Sequence, residues 1–150
     1  MNTDECRRRF GEAPHAYLAT ADARAVPHLV PVTFAVMGAD AIAVAIDHKP
    51  KRPGDARQLR RIRNITANPQ VAFLADAYDD DWQRLWWVRA DATARVVDVG
   101  LEHDLAVERL IARYAQYRAV PPTGLVLLAA VDRWSGWTGV PDEHRVRNNQ

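Results

Sequence analysis

The stretch from Val26 to Met37 narrows the choice of fold more than any other part of this chain. It alternates as a strand does: Val26, His28, Val30, Val32, Phe34 and Val36 share one face, and Pro27, Leu29, Pro31, Thr33 and Ala35 share the other. Proline cannot donate to a sheet ladder. Two prolines on one face therefore exclude a straight central strand and predict one that is bent, bulged or at an edge. Such a strand leaves backbone groups free to bind something flat. A second stretch, DWQRLWWVRADATARVV, is equally regular. Trp86, Val88, Ala90, Ala92, Ala94 and Val96 form an apolar face, while Leu85, Trp87, Arg89, Asp91, Thr93 and Arg95 form an amphipathic one. Large aromatics beside arginine and aspartate suit a core combined with a subunit contact.

The remaining elements follow from local signals. A helix is predicted from Thr3 to Phe10, with Asn2 or Thr3 as N-cap and Gly11 as its stop. A strand from His15 to Thr20 precedes a turn at Ala21-Asp22-Ala23-Arg24. Gly38-Ala39-Asp40 turns the chain into an apolar strand, Ala41 to Asp47. Pro50, Pro53 and Gly54 interrupt regular structure, and Asp55 caps a helix whose Ala56, Leu59, Ile62 and Ile65 face the core. Arg57, Arg61 and Asn64 share another face of that helix, which ends at Asn68-Pro69. Gln70 to Asp76 is a strand, Tyr78 to Trp82 an acidic loop, Val99 to Tyr117 a helix and Gly124 to Thr138 the last strand. Six strands with short connections and two or three helices define an α+β chain, for which a small antiparallel barrel protects the strand edges. One domain over 1–140 and a polar tail from Pro141 to Gln150 complete the expected organisation.

Charge gives the strongest functional signal. Between Asp47 and Asn64, seven cations (Lys49, Lys51, Arg52, Arg57, Arg60, Arg61, Arg63) face two anions (Asp47, Asp55), a local +5 in a chain whose total is +1. Lys49 and Lys51 are the only lysines. Such a cluster between a strand and a helix suits a phosphate or carboxylates; a solvated helix face is its plain alternative. The small net charge argues against coating of nucleic acid. The single cysteine, Cys6, cannot form an intramolecular disulfide and suits a reducing, cytoplasmic setting. The longest apolar run, Leu125 to Val131, is too short to span a bilayer. There is no glycine-rich phosphate loop, no metal-ligand spacing and no hydrolase triad. His48 is a candidate proton donor beside the lysine loop. An anion site with aromatic walls and no nucleophile fits a protein whose cofactor supplies the reactivity.

The succession AYLATAD, VPHLVPVTF, IAVAIDHKPK, LRRIRNITANPQVAFLAD and DDDWQRLWWVRADATARVV resembles the pyridoxamine 5′-phosphate oxidase-like split-barrel superfamily. More narrowly, it is similar to the actinobacterial branch that uses the deazaflavin coenzyme F420. The likeness runs from about His15 to Trp137 and rests on the order and spacing of these pieces.

This resemblance implies a homodimer of six-stranded split barrels with cofactor clefts between subunits. The ring would lie against the backbone of Val30, Pro31, Val32 and Thr33 and of Ala45, Ile46, Asp47 and His48. Lys49, Lys51, Arg57, Arg60 and Arg61 match the residues that hold the phosphate and acidic tail, with Asn64 a further donor. Tyr78, Trp82, Trp87 and Arg89 match the strand by which a partner subunit closes the site. The implied activity is hydride transfer between reduced F420 and an organic electrophile. FMN on the same fold and a non-catalytic carrier or sensor are the alternatives. Oxidation of pyridoxamine phosphate itself fits less well, because Trp134-Ser135-Gly136 after Arg133 departs from the arginine–histidine pattern expected there.

Overall fold

The computed structural model describes residues 1–46 and 55–140. Helix α1 spans Thr3–Glu12. Asn2 caps it, its Oδ1 accepting from the Glu5 N–H at 2.9 Å, and Asp4 and Glu5 in the first turn complement the helix dipole. Gly11 does not stop this helix. It stays within the last turn, and the chain turns extended at Ala13, the residue before Pro14, where the helical region is disfavoured. Cys6 and Phe10, one turn apart, face inward and are fully buried.

Seven strands form one antiparallel sheet: β1 (Ala16–Ala21), β2 (Pro27–Val32), β3 (Ala35–Met37), β4 (Ala41–Ala45), β5 (Gln70–Ala77), β6 (Trp86–Val97) and β7 (Val126–Thr138), in the order β2-β1-β5-β6-β7-β4-β3. The seventh strand arises because the long alternating stretch divides. Its first half, with Pro27 and Pro31 opposite Ala21 and Tyr17, is one edge of the sheet, and its second half pairs with β4 as the other edge. Only Thr33 and Phe34 separate the two edges, so the sheet must curl until its ends meet there. No ladder pairs β2 with β3 among the described residues, which leaves the barrel split at this point.

The split is fastened from outside. The expected helix Val99–Tyr117 is two helices, α3 (Leu101–Arg113) and α4 (Ala115–Ala119), with Tyr114 extended between them. This break turns both tyrosines onto the split. The Tyr114 hydroxyl accepts from the Phe34 N–H at 3.1 Å and lies 3.1 Å from the Phe34 carbonyl. The Tyr117 hydroxyl is 2.9 Å from Thr33 Oγ1, and the Arg113 guanidinium lies over the Phe34 ring, 4.3 Å from its centroid. Tyr114→Phe leaves the Phe34 N–H without this partner and is expected to cost about 1–2 kcal/mol. A urea midpoint equal to wild type would show that the split needs no fastening.

The barrel interior is filled by Phe10, Leu18, Phe34, Ile42, Val44, Phe73, Val88 and Leu127. Alternation along β6 matches the sequence expectation: Val88, Ala90, Ala92 and Ala94 are buried, and Trp86 and Val96 partly so. At Asp91/Ala92 the β6–β7 register shifts, because Asp132 is an extra residue on β7. Helix α1 lies close against β7: a Cβ at Gly136 would stand 2.9 Å from Cys6 Sγ and 3.1 Å from the Trp87 carbonyl. Arg7 forks onto Asp40, at 2.9 and 2.8 Å, and the Trp134 indole N–H donates to the same carboxylate at 2.7 Å.

His103 ties α3 to the start of β7. Nε2 lies 2.9 Å from the Gly124 carbonyl and Nδ1 3.2 Å from Asp104 Oδ1. Both nitrogens meet acceptors, so the imidazolium is favoured, and the pKa lies above the ordinary 6.5, chiefly through the Gly124 carbonyl. A raised folded-state pKa gives stability that is complete below the unfolded value and lost as pH rises through the folded one. The wild-type melting temperature minus that of His103→Gln is expected to be largest near pH 6 and to shrink as pH climbs beyond 6.5. A difference independent of pH would refute this.

Candidate functional site

Pro31 and Val32 end β2 where the barrel is split, with Thr33 directly after them, and Val44 and Ala45 end β4 on the far side of that split. Helix α2 (Arg60–Ala67), whose Ile62 and Ile65 are buried, packs against β1 and β6. These pieces, with His15 at the entry to β1 and the Arg61 side chain, line a cleft of about 240 Å³. Its walls are apolar, and its polar groups are a guanidinium, the Thr33 hydroxyl and an imidazole. Tyr117 holds Thr33 from behind.

The cationic helix does not present its charges as one face. It begins as a 3-10 turn, Asp55–Gln58, breaks at Leu59, where ψ is 135°, and only then becomes α2. The break takes Arg57 out of the helical register with Arg61. Arg57 pairs instead with Asp98 at 2.7 Å, on the surface. Asn64 is buried beneath the helix and donates to Thr20 Oγ1 at 3.0 Å. Arg60 faces a different groove from Arg61. Thus the helix-face expectation for Arg57, Arg61 and Asn64 is corrected: the break removes Arg57 from the face, and within α2 Asn64 bonds to Thr20 while Arg61 lines the cleft. His28 sits on the inward face of β2, opposite Thr20. Its pKa is pushed below the usual range by burial first, and then by Arg60 and Arg61.

Of the other expected positions, Val30 packs against the core, and Ile46 is buried, its N–H donated to the Leu125 carbonyl at 2.9 Å. Asp47, His48, Lys49 and Lys51 lie outside the described residues. Tyr78, Trp87 and Arg89 come together elsewhere, on the outer face of the sheet. There, with Tyr17, Leu29 and Leu74, they line a second, larger cleft of about 460 Å³. Arg89 and Arg133 both contact the Asp91 carboxylate there, at 2.9 and 2.8 Å. Trp82 is exposed on the 3-10 turn Trp82–Arg84 and does not line this cleft.

His15 lines the Arg61 cleft but is absent from the cofactor-contacting positions expected from the sequence, where it is only the first residue of a predicted strand; the observed β1 begins one residue later, at Ala16. Its place is visible only because its ring packs edge-on against Tyr17, 5.3 Å between centroids, at the mouth of the Arg61 cleft. Among the described residues no group of three metal-ligating side chains occurs. Cys6 is buried in the core, with its thiol pKa raised by that burial. No helix of the described residues is long and apolar enough to cross a membrane.

The chain is a curled antiparallel sheet split between β2 and β3, with a cleft at the split that Arg61 helps to line. The sequence matches the Pyridoxamine 5'-phosphate oxidase family over residues 2–138, and the chain belongs to that family. No curated protein matches it. Among solved structures it is similar to a conserved hypothetical protein of Mycobacterium tuberculosis, with TM-score 0.74 and 17% identity over 93% of this chain and 86% of that one. It is also similar to a FAD-binding protein of Mesorhizobium loti, with TM-score 0.69 and 16% identity over 91% and 92% of the two chains. The heme storage protein HutZ of Vibrio cholerae aligns with TM-score 0.64 and 19% identity over 90% of each chain. At these identities the likeness is one of fold.

Proposed function

We propose that this protein is an oxidoreductase that moves a hydride between reduced coenzyme F420 and an organic electrophile. The observation that carries the reading is the cleft at the split, where the ends of β2 and β4 meet Arg61. Pro31, Val32 and Ala45 offer flat apolar backbone to a ring. Thr33, held by Tyr117, offers a hydroxyl, and Arg61 offers a charge to a phosphate. The deazaflavin, when bound, supplies the hydride. The protein's own work is to orient the ring and exclude water. His15 is the imidazole that the described part of the cleft provides, and it takes the role of proton donor beside the expected His48.

The cleft is open on its outer side, and a second copy of the chain would close it. The outer sheet face with Tyr78, Trp87 and Arg89 carries exposed Leu29, Leu74 and Trp137 on neighbouring strands. That mixture of aromatics and arginine suits a homodimer contact. FMN is the second reading, favoured by the similarity to a FAD-binding protein.

A fluorescence titration of the purified protein with F420, run beside FMN, tests both. Micromolar or tighter binding of F420 with much weaker FMN is the expected result. The reverse preference moves the protein to flavin chemistry, and binding of neither overturns the proposal.

A further inference from the structure

One outer helix reaches both walls of the split. Helix α3 packs on the outside of the sheet against β3, β4 and β7. Its Ala106 and Leu110 are fully buried there, in one cluster with Ala35, Ala43 and Ala45. Alanines leave no long side chain to absorb a shift of the helix, so a shift passes to the strands beneath. Past the end of α3, Tyr114 and Tyr117 hold Phe34 and Thr33, which fixes the β2 wall of the cleft. At its start, His103 fixes the other wall. The His103 side chain is only 12% exposed, and Nε2 lies 2.9 Å from the Gly124 carbonyl. The carbonyl of the next residue, Leu125, accepts from the Ile46 N–H at 2.9 Å. Val126, which follows, pairs with Ala45, a residue that lines the cleft. The path from imidazole to cleft wall thus runs over three consecutive residues.

That contact depends on the charge of the ring. Nε2 faces the Gly124 carbonyl and Nδ1 faces Asp104 Oδ1 at 3.2 Å. Only the imidazolium donates to both. A neutral ring has one N–H. With the proton on Nε2, the Gly124 bond loses its charge assistance, and Nδ1 turns a lone pair toward a carboxylate. With the proton on Nδ1, the Gly124 bond is lost. Among the described residues, the charged group from another element that acts on this ring is Asp98, just after β6, and it also favours the imidazolium. Asp98 is itself paired with Arg57 at 2.7 Å. The start of β7 brings a carbonyl to the ring and no charge.

We propose that His103 is a positioning residue for the cleft: protonated, it holds the end of β4 through Gly124 and the end of β2 through α3, and loss of its proton loosens both walls. His103 touches no ligand and acts through the backbone. The consequence is a ligand affinity that falls as pH rises through the His103 titration. By reciprocity, a bound ligand raises the His103 pKa. The ligand half of this inference rests on the cleft being the ligand site; the movement of the walls does not. A merely structural anchor predicts something different, a response to pH confined to Gly124 and its chain neighbours.

The first test needs no ligand. In a pH titration of the full chain followed by NMR, the Ile46 and Thr33 amide signals should move with the midpoint of the His103 Cε1–H signal. The Ala72 amide, on β5, should not follow it. In His103→Gln, which keeps an N–H donor for Gly124, the shared midpoint should vanish from Ile46 and Thr33. Melting curves recorded above the titration range would show that the variant folds. Stationary Ile46 and Thr33 signals in wild type, or the same movement in His103→Gln, overturn the proposal. The second test is fluorescence titration with F420 and with FMN at about pH 6 and about pH 8. Whichever binds should bind wild type roughly threefold or more weakly at the higher pH, after subtraction of the change seen in His103→Gln. An equal change in both proteins means that the coupling does not reach the ligand and overturns that half. If neither ligand binds at either pH, the cofactor reading fails, and the NMR titration decides the coupling by itself.

Discussion

Phe10→Ala is expected to destabilise the protein by about 3–5 kcal/mol, the range for removing a fully buried aromatic side chain. Phe10 is 0% exposed. Its ring lies 4.6 Å from that of Phe34, 6.4 Å from Phe73 and 5.2 Å from Trp134. It therefore joins α1 to β5, to β7 and to the split itself. The cavity left by alanine would be walled by three rigid rings that cannot collapse into it, so the upper part of the range applies. Equilibrium urea unfolding measures the loss. A change under about 1 kcal/mol would mean that α1 is not an integral part of the core. Because Phe34 follows Thr33, which lines the cleft, the same variant should also loosen the cleft, seen as weaker ligand binding by the folded fraction.

Arg61→Ala is expected to weaken binding of the cleft ligand by about 1.5–3 kcal/mol, the worth of a hydrogen bond to a charged group. That is roughly a 10- to 150-fold rise in dissociation constant. Among the described residues, Arg61 is the cation that lines the cleft, alongside Thr33 and Ala45. Arg61→Lys keeps the charge but loses the planar fork, so it should restore only part of the affinity. Arg57→Ala supplies the contrast. Its guanidinium is taken by Asp98 at 2.7 Å in an exposed pair, so its loss should change affinity little. An unchanged dissociation constant for Arg61→Ala would sink the assignment of the cleft, and an Arg57→Ala effect as large would relocate the site.

Several features are legible in the sequence itself, because short-range rules decide them. The inward and outward faces of Trp86–Val96 follow from strand alternation, and the observed burial of Val88, Ala90, Ala92 and Ala94 follows the same pattern. Asn2 caps α1, and Asn68-Pro69 ends α2, for reasons contained within four residues. The two prolines of the Val26–Met37 stretch exclude a central strand, and β2 is indeed an edge.

Tertiary structure alone decides where that stretch breaks and what meets at the break. By periodicity, Tyr114 and Tyr117 are the apolar end of one amphipathic helix. Their hydroxyls find partners at Phe34 and Thr33, 80 and 84 residues away in the chain, and those bonds favour a helix broken at Tyr114. The cationic helix shows the same limit. Its sequence states how many charges it carries, but their directions depend on a backbone break at Leu59 and on Asp98, Thr20 and the split barrel around them. Hence Arg57 is a surface pair, Asn64 an internal anchor and Arg61 a cleft residue. Periodicity fixes the angle between neighbours on one helix. Only the packed fold fixes what each of them faces.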